Sequence, residues 1–188
     1  VLACDKGSQI ATLRTDYLKI KIDESGSITS FQNISKKAIQ EFSPLDKPSP
    51  LLCLYSSAND RLYRPESASY NRSKGILSLS FDNKSVATIA IEVKDKYFKF
   101  RLLSLSNRAE IDEIQWGSFH TNITNLFGEV IGVARDTSKL VNYAIGVLAL
   151  NDETTGGTVN TAGDMNVDGD LTSSITSSGT IDTSTTGS

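Results

Sequence analysis

The side chains best suited to chemistry lie between residues 110 and 136 of the chain. Three carboxylates precede the only tryptophan, and a histidine, another carboxylate and an arginine follow it: Glu110, Asp112, Glu113, Trp116, His120, Glu129 and Arg135. An aromatic ring can stack on the apolar side of a pyranose while carboxylates and Arg hold its hydroxyl groups. The candidate carbohydrate-contacting residues are therefore Trp116, His120, Glu129 and Arg135. The alternative is a charged strand rim around a tryptophan of the core.

Several enzyme classes lack the residues that they need. His120 is the only histidine, and Cys4 and Cys53 are too few and too far apart in sequence to complete a zinc site. The sequence contains no Gly-x-Ser-x-Gly elbow, no Gly-x-Gly-x-x-Gly pattern and no P-loop. Glycoside hydrolysis needs only two facing carboxyl groups, but the sequence does not say which two would face each other. No catalytic residue is predicted.

Charge is distributed unevenly along the chain. Up to Lys139 there are 19 basic and 16 acidic residues, and after it there are 6 acidic residues and no basic one. Neither part has the clustered Lys and Arg that neutralise phosphates, so nucleic acid is not an expected partner. No run of about 18 apolar residues occurs, so no membrane-spanning segment is predicted.

The first four residues, Val1-Leu2-Ala3-Cys4, resemble the end of a bacterial lipoprotein signal, in which small residues precede a cysteine that receives a lipid. This predicts Cys4 as a lipidation site, residues 1–11 as a tether, and an exported protein of the cell envelope, periplasmic or in the outer membrane. Membrane contact would come only through the lipid. The alternative is an ordinary clipped terminus. Cys53, within an apolar run, is predicted to be a small buried side chain, or else a disulfide partner of Cys4.

Apolar and polar residues alternate with a period of two, which is typical of strands with one face in water. The alternation predicts strands at residues 17–23, 28–31, 50–55, 76–81, 86–93, 97–105, 111–116, 128–134 and 143–150. In the turn between the first two, Gly26 is expected to take a positive φ. In the strand at residues 97–105, Phe98, Phe100 and Leu102 are expected to face inward. Only residues 35–42 suggest a helical turn, so residues 12–153 are predicted to form an all-β antiparallel sandwich.

From residue 154 to residue 188 the composition changes to Thr, Ser, Gly and Asp, with no aromatic residue. This low-complexity tail is predicted to be extended or disordered. It is interpreted as a flexible linker or, alternatively, as short Gly-punctuated β repeats like those of phage tail fibres and bacterial adhesins.

The tail contains one motif suited to a hard cation. Oxygen-bearing side chains alternate at Asp164, Asn166, Asp168 and Asp170, with a glycine after the third. The motif resembles the calcium loops of EF-hands and dockerins over seven residues, and it predicts a Ca²⁺ site as the only candidate cofactor. Position twelve, which should supply a bidentate carboxylate, is Ile175. The alternative is a solvated turn of Asp and Asn.

Four segments in order carry a family resemblance: residues 17–28, Ile114-Gln-Trp-Gly117, residues 128–136 and residues 144–151. Over roughly residues 12–157 the chain resembles the N-terminal galactose-mutarotase-like β-sandwich domain of secreted glycan-degrading proteins of Bacteroidetes. The resemblance implies a supersandwich packed against a separate catalytic domain, with the sandwich itself usually inert. A working mutarotase would need a pair of histidines, and His120 is alone.

The sequence and this resemblance together favour a non-catalytic, carbohydrate-contacting accessory domain of a larger exported lipoprotein devoted to glycan breakdown. Its expected partners are a glycan or an adjacent catalytic domain of the same polypeptide. The first alternative is an attachment module of an adhesin or tail fibre, and the second is a glycoside hydrolase in its own right.

Overall fold

The computed structural model describes residues 8–35, 39–44 and 46–122, and beyond them the backbone of five short strands at residues 133–136, 143–146, 158–160, 165–166 and 181–182. The chain divides into two units, Val1–Gln115 and Trp116–Ser188. Within the described residues every regular element is a strand, apart from a single 3₁₀ turn at Arg108–Glu110. The all-β class predicted from the alternation is confirmed.

The first sheet of the first unit is built from five antiparallel strands. They are β1 (Gln9–Arg14), β2 (Leu18–Asp23), β3 (Ser27–Asn33), β4 (Gln40–Glu41) and β5 (Ser49–Pro50). The order is β1-β2-β3-β4, and β5 also pairs with β3. Ile20, Ile22 and Ile28 are buried, while Lys19 and Lys21 between them are only half-buried. The period of two therefore defines the core face of β2, as predicted.

The helical turn expected at residues 35–42 is wrong where the structure describes it. Gln40 and Glu41 form β4 and pair with Asn33 and Gln32 of β3, and residues 36–38 lie outside the described part. The Glu41 carboxylate explains the pairing, because it accepts hydrogen bonds from the Ser30 hydroxyl at 2.6 Å and the Phe31 amide at 2.8 Å. A helix would withdraw this carboxylate from those donors on β3.

The turn between β2 and β3 is held by its own side chains. The Asp23 carboxylate accepts hydrogen bonds from the Ser25 amide at 3.0 Å, the Ser25 hydroxyl at 2.6 Å and the Ser27 amide at 3.0 Å. Gly26 has φ +78°, which confirms the prediction. A Cβ on Gly26 would lie 2.5 Å from Leu79 Cδ2, so the turn needs glycine both for its backbone and for its packing.

The second sheet is a meander of four antiparallel strands in the order β11-β10-β9-β8. Its strands are β8 (Pro65–Asn71), β9 (Ile76–Phe81), β10 (Val86–Val93) and β11 (Phe98–Leu105). The bounds of β9 and β10 agree with the sequence prediction, and β10 and β11 pair as a hairpin as expected, with a short link that spans residues 94–97. Their buried faces consist of Leu77, Leu79, Phe81, Ala87, Ile89 and Ile91.

The edge strand β11 follows the alternation less closely. Phe98, Phe100 and Leu102 pair with Val93, Ile91 and Ile89 of β10, as the inward face should, but all three are only half-buried. The register shifts after Leu102, and Leu103 is 45% exposed. An edge strand has a neighbour on one side only, so its inward residues are covered less completely than those of β9 and β10.

Main-chain hydrogen bonds join the two sheets. The Ala68 amide of β8 donates to the Glu24 carbonyl beside the β2–β3 turn at 2.7 Å. The Asp16 amide between β1 and β2 donates to the Asp95 carbonyl between β10 and β11 at 3.3 Å. Together with the contact of Gly26 against Leu79, these bonds give the sandwich-like arrangement that the sequence predicts.

A further hairpin completes the first unit. β6 (Leu52–Ser56) pairs antiparallel with β7 (Arg61–Tyr63), and β12 (Glu113–His120) begins beside β6. Leu51, just before β6, and the first three residues of β6 are all buried, so both faces of the strand are covered up to Leu54, and Tyr55 is the first side chain that reaches solvent. Cys53 among them is a free thiol, in agreement with its prediction as a small apolar side chain, and burial raises its pKa.

In the second unit the described elements are short strands. β13 (Val133–Asp136) pairs antiparallel with β14 (Tyr143–Gly146); β13 overlaps the predicted strand at residues 128–134, and β14 lies within the one predicted at residues 143–150. β15 (Thr158–Asn160) pairs in parallel with the end of β12, and β16 (Met165–Asn166) pairs in parallel with β17 (Ile181–Asp182). These two parallel pairs involve the predicted tail, and they differ from the antiparallel pattern of the first unit.

Candidate functional site

Of the four predicted carbohydrate-contacting residues, the structure describes the side chains of two. Trp116 and His120 both lie on β12 and are half-buried. Arg135 lies on β13 opposite Ala144, but only its backbone is described, and Glu129 lies outside the described residues. Grouping of these four residues around one ligand therefore stays a prediction.

A bulge in β12 lies between Trp116 and His120, and it affects which face of the strand each side chain occupies. Gly117 has φ +81°, and the register of β12 against β15 shifts between Gly117 and Phe119. The Phe119 ring covers Gly117, since a Cβ there would lie 2.6 Å from two ring carbons. Because a bulge interrupts the alternation, a spacing of four residues does not by itself place both side chains on one face of the strand.

The predicted calcium loop and lipidation site lie almost wholly outside the described residues. Asn166 lies on β16 opposite Asp182 of β17, whereas Asp164, Asp168, Asp170 and Cys4 are not described. Among the residues that are described, no three His, Cys, Asp or Glu side chains come close enough together to hold a metal ion. Nor do the described residues include a helix that is long and apolar enough to cross a membrane. Both sites stay predictions.

The best-defined cluster of functional side chains surrounds the β6–β7 hairpin. Tyr55, near the end of β6, is half-buried, and its hydroxyl donates a hydrogen bond to the Asp60 carboxylate at 3.1 Å. Asp60 ends the turn with φ +47°, and its amide donates to the Ser57 carbonyl at 3.3 Å. The turn therefore places an acceptor next to the phenol of a strand residue.

A second acidic residue reaches this turn from far along the chain. The Asp112 amide donates to the Tyr55 carbonyl at 3.0 Å. The Asp112 carboxylate accepts hydrogen bonds from the amide and the hydroxyl of Ser57, both at 2.7 Å, across a separation of 55 residues. These two bonds hold the pKa of Asp112 below its usual range, the main-chain bond contributing most.

A third carboxylate, that of Glu113, directly follows Asp112 at the start of β12. The pKa of Tyr55 is raised, first by its hydrogen bond to Asp60 and then by the charge of Asp60, by burial and by the charges of Asp112 and Glu113. Asp60, Asp112 and Glu113 are all exposed, as is Ser57. We call these five residues, Tyr55, Ser57, Asp60, Asp112 and Glu113, the Tyr55 patch. It combines one aromatic ring with three solvent-facing carboxylates.

An apolar residue of β7 lies beside the Tyr55 patch, and the arginine that precedes it in the chain is engaged elsewhere. Leu62 of β7 lies directly opposite Tyr55 in the strand pair and is 41% exposed. Arg61, next to Leu62, forms an ion pair with Asp82, and its guanidinium lies 4.8 Å from the centre of the Tyr63 ring. Arg61 is thus fixed between an acid and an aromatic ring.

This arrangement is suited to hydrogen bonding rather than to proton donation. A general acid needs a raised carboxyl pKa, and that of Asp112 is lowered. An ionised carboxylate that is held in place by Ser57 offers its remaining lone pairs to hydroxyl donors of a ligand. The exposed part of the Tyr55 ring and Leu62 adds apolar surface beside those acceptors. A polyol such as a sugar matches both features.

Sequence reasoning found only part of the Tyr55 patch. Asp112 and Glu113 belong to the acidic run that precedes Trp116, whereas Tyr55, Ser57 and Asp60 are not among the residues that the sequence predicts as functional. The available signal was the stretch Ser56 to Asp60, in which small polar residues and a final Asp directly follow an apolar strand, as in a tight turn.

Comparisons with known proteins add no relative to this picture. No protein-family model, no curated protein and no solved structure matches the chain. The fold and the Tyr55 patch therefore define it only as an all-β, sandwich-like protein with exposed acidic residues beside a half-buried tyrosine.

Proposed function

We propose that this chain is a non-catalytic, carbohydrate-contacting domain of a larger exported glycan-degrading lipoprotein. The observation that carries the proposal is the pair of fixed, exposed carboxylates beside the half-buried Tyr55: Asp60 accepts from the Tyr55 hydroxyl, and Asp112 accepts from the amide and hydroxyl of Ser57. The family resemblance of residues 12–157 is consistent with it. The role is positional, since the domain would hold a glycan near a catalytic domain elsewhere in the polypeptide.

Binding would use preformed geometry. The Asp112 carboxylate is already fixed by Ser57 and the Tyr55 hydroxyl by Asp60, so a sugar would meet acceptors that need little further ordering. The apolar side of a pyranose would lie against Tyr55 and Leu62, and its hydroxyls would donate to the carboxylates. Trp116, His120, Glu129 and Arg135 remain the proposed additional contacts.

A glycan array with the purified chain tests this proposal. We expect binding to at least one oligosaccharide, weakened about tenfold by Tyr55→Ala, which removes the ring, and by Asp112→Asn, which removes the charge. Asp46→Asn is the matched control, because Asp46 is an exposed acid on a loop outside the Tyr55 patch. Trp116→Ala tests the sequence-derived contact in the same way.

Two results would contradict the proposal. An array without any binding by the folded chain would leave only a structural role. Hydrolysis of aryl glycosides by the purified chain would show that the non-catalytic assignment is wrong. Thermal melting of each variant separates lost binding from lost folding.

A second candidate function, an attachment module, has one observation in its favour. Met165 and Asn166 pair in parallel with Ile181 and Asp182, which lie 16 positions further along the chain. Parallel pairing of successive segments is how stacked β repeats bury their apolar residues. If the chain is an attachment module, we expect it to form trimers or filaments. Analytical sedimentation of the full chain measures this oligomeric state. A monomer at all concentrations would count against it.

A further inference from the structure

Two exposed tyrosines lie on neighbouring turns of the first unit. Tyr17 follows β1 and is 44% exposed, and Tyr97 precedes β11 and is 52% exposed. The turns are joined by the hydrogen bond from the Asp16 amide to the Asp95 carbonyl. Two aromatic rings from distant parts of the sequence are thus brought to the same end of the sandwich-like unit.

Both turns are rigid without a ligand. In the first, the buried Thr15 hydroxyl accepts hydrogen bonds from the Tyr17 and Leu18 amides at 3.0 and 2.8 Å, and the Ile34 amide donates to the Tyr17 carbonyl at 2.7 Å. In the second, the Lys94 amide donates to the Tyr97 carbonyl at 3.0 Å. Exposed rings on such fixed backbone lose little conformational entropy when they bind.

Polar groups surround these two rings. Asp16, Asp95 and Lys96 are exposed, and within the described residues neither of these carboxylates makes a side-chain hydrogen bond or ion pair. The Lys94 ammonium already forms an ion pair with the Glu92 carboxylate, with 2.9 Å between Nζ and Oε2. Asp16 and Asp95 therefore offer carboxylate oxygens whose lone pairs can accept hydrogen bonds from the hydroxyl groups of a ligand.

The apolar area decides which kind of partner fits. Tyr17, Tyr97 and the 48% exposed Val93 are the large exposed apolar side chains here, and together they offer roughly 300 Å². A stable protein interface buries about 800 Å² on each partner, of which somewhat more than half is apolar, so these three side chains supply less apolar area than a second copy or another domain would need. It is large enough to cover one or two sugar rings.

We propose that Tyr17 and Tyr97 form an aromatic platform that binds a pyranose ring of the glycan, separately from the Tyr55 patch. The inference rests on the proposed function and adds a second contact point, with stacking on tyrosine and hydrogen bonds to Asp16 and Asp95. Two contact points on one rigid unit would bind an extended chain more tightly than a single sugar, because the second contact is intramolecular.

The test uses the purified full chain and the oligosaccharide that gives the strongest array signal, titrated by calorimetry. We expect Tyr17→Ala and Tyr97→Ala each to weaken binding about tenfold. Tyr97→Phe keeps the ring and should stay within about threefold of the parent chain. Leu103→Ala is the control, because it removes an equally exposed apolar side chain from the same sheet.

The outcomes separate this inference from the proposed function. Sugar binding that Tyr55→Ala weakens and both tyrosine variants leave unchanged would overturn the platform and leave the Tyr55 patch standing. A silent array would overturn both. Self-association of the chain that Tyr17→Ala abolishes would also overturn the platform, in favour of contact between copies.

Discussion

Substitution of Gly26 by alanine tests the packing of the β2–β3 turn against the second sheet. The added Cβ would lie 2.5 Å from Leu79 Cδ2, and 3.4 Å from both Ala68 Cβ and Pro65 Cγ. Two costs should add. A residue with a side chain at a φ of +78° costs about 1–2 kcal/mol, and overpacking of a tight core site costs about 1–3 kcal/mol. We expect a total destabilisation of about 2–5 kcal/mol.

The two costs can be separated with a second substitution. Leu79→Val removes the clashing Cδ2 atom and should itself cost about 1 kcal/mol, the value of one buried methylene. In that background Gly26→Ala should cost only the backbone part, about 1–2 kcal/mol. The double-mutant cycle therefore predicts a coupling of about 1–3 kcal/mol between the two positions.

Urea unfolding of the four proteins, followed by far-UV circular dichroism, measures these differences. With a slope near 2 kcal/mol/M, Gly26→Ala should lower the midpoint by about 1–2.5 M. Gly75→Ala is the control, because Gly75 also has a positive φ but its Cβ would meet the Ile91 carbonyl rather than Leu79. If Gly26→Ala lowers the free energy of unfolding equally in both backgrounds, the contact with Leu79 is refuted. If it does not lower the free energy of unfolding at all, the positive φ at position 26 is refuted as well.

Three further predictions concern titratable groups. Because burial raises the pKa of Cys53, its thiol should not react with a disulfide reagent at pH 8 until the chain unfolds; in a Cys4→Ser variant, where Cys53 is the only thiol, rapid labelling of the native protein would contradict its burial. Asp60→Asn should lower the pKa of Tyr55, seen as earlier ionisation of one tyrosine at 295 nm that Tyr55→Phe removes; an unchanged titration would exclude the hydrogen bond. The pKa of Asp112 is lower in the folded state, so its contribution to stability is present above the unfolded pKa and lost as pH falls through the folded value. Asp112→Asn should therefore reduce the loss of stability on acidification, and an unaltered acid transition would show that the bonds to Ser57 do not form.

The strands that could be predicted are those with strict alternation and a buried neighbour on each side. The bounds of β9 and β10 follow from the sequence because every second residue is apolar and both strands lie inside the sheet. The β2–β3 hairpin was equally clear, since Gly26 lies between two alternating runs.

The strands that were missed lack that signal. β8, with sequence Pro-Glu-Ser-Ala-Ser-Tyr-Asn, begins with proline and carries small polar residues, because it forms an edge of its sheet. β7 has only three residues, and β1 begins at Gln9, inside the stretch that was predicted as a tether. Short or polar strands are stabilised by pairing with a neighbouring strand, and the identity of that neighbour cannot be read from a single sequence.

The candidate site was only partly accessible to sequence reasoning for a related reason. Asp112 and Glu113 were recognised as an acidic run, but their neighbours Tyr55 and Ser57 lie more than 50 positions earlier. Such proximity depends on the path of the chain between the two segments. The sequence could therefore indicate the chemistry of the site without its geometry.

The meander from β8 to β11 has a consequence for the order of folding. Its strands pair only with their neighbours along the chain, so the sheet can assemble without closing a long loop. The bonds between Ser57 and Asp112, by contrast, close a loop that contains the whole meander, and that closure carries a larger entropic cost. We expect the meander to be formed in the transition state and the Ser57–Asp112 bonds to follow. Substitutions in the turn between β9 and β10 should then slow refolding, whereas Asp112→Asn should mainly accelerate unfolding.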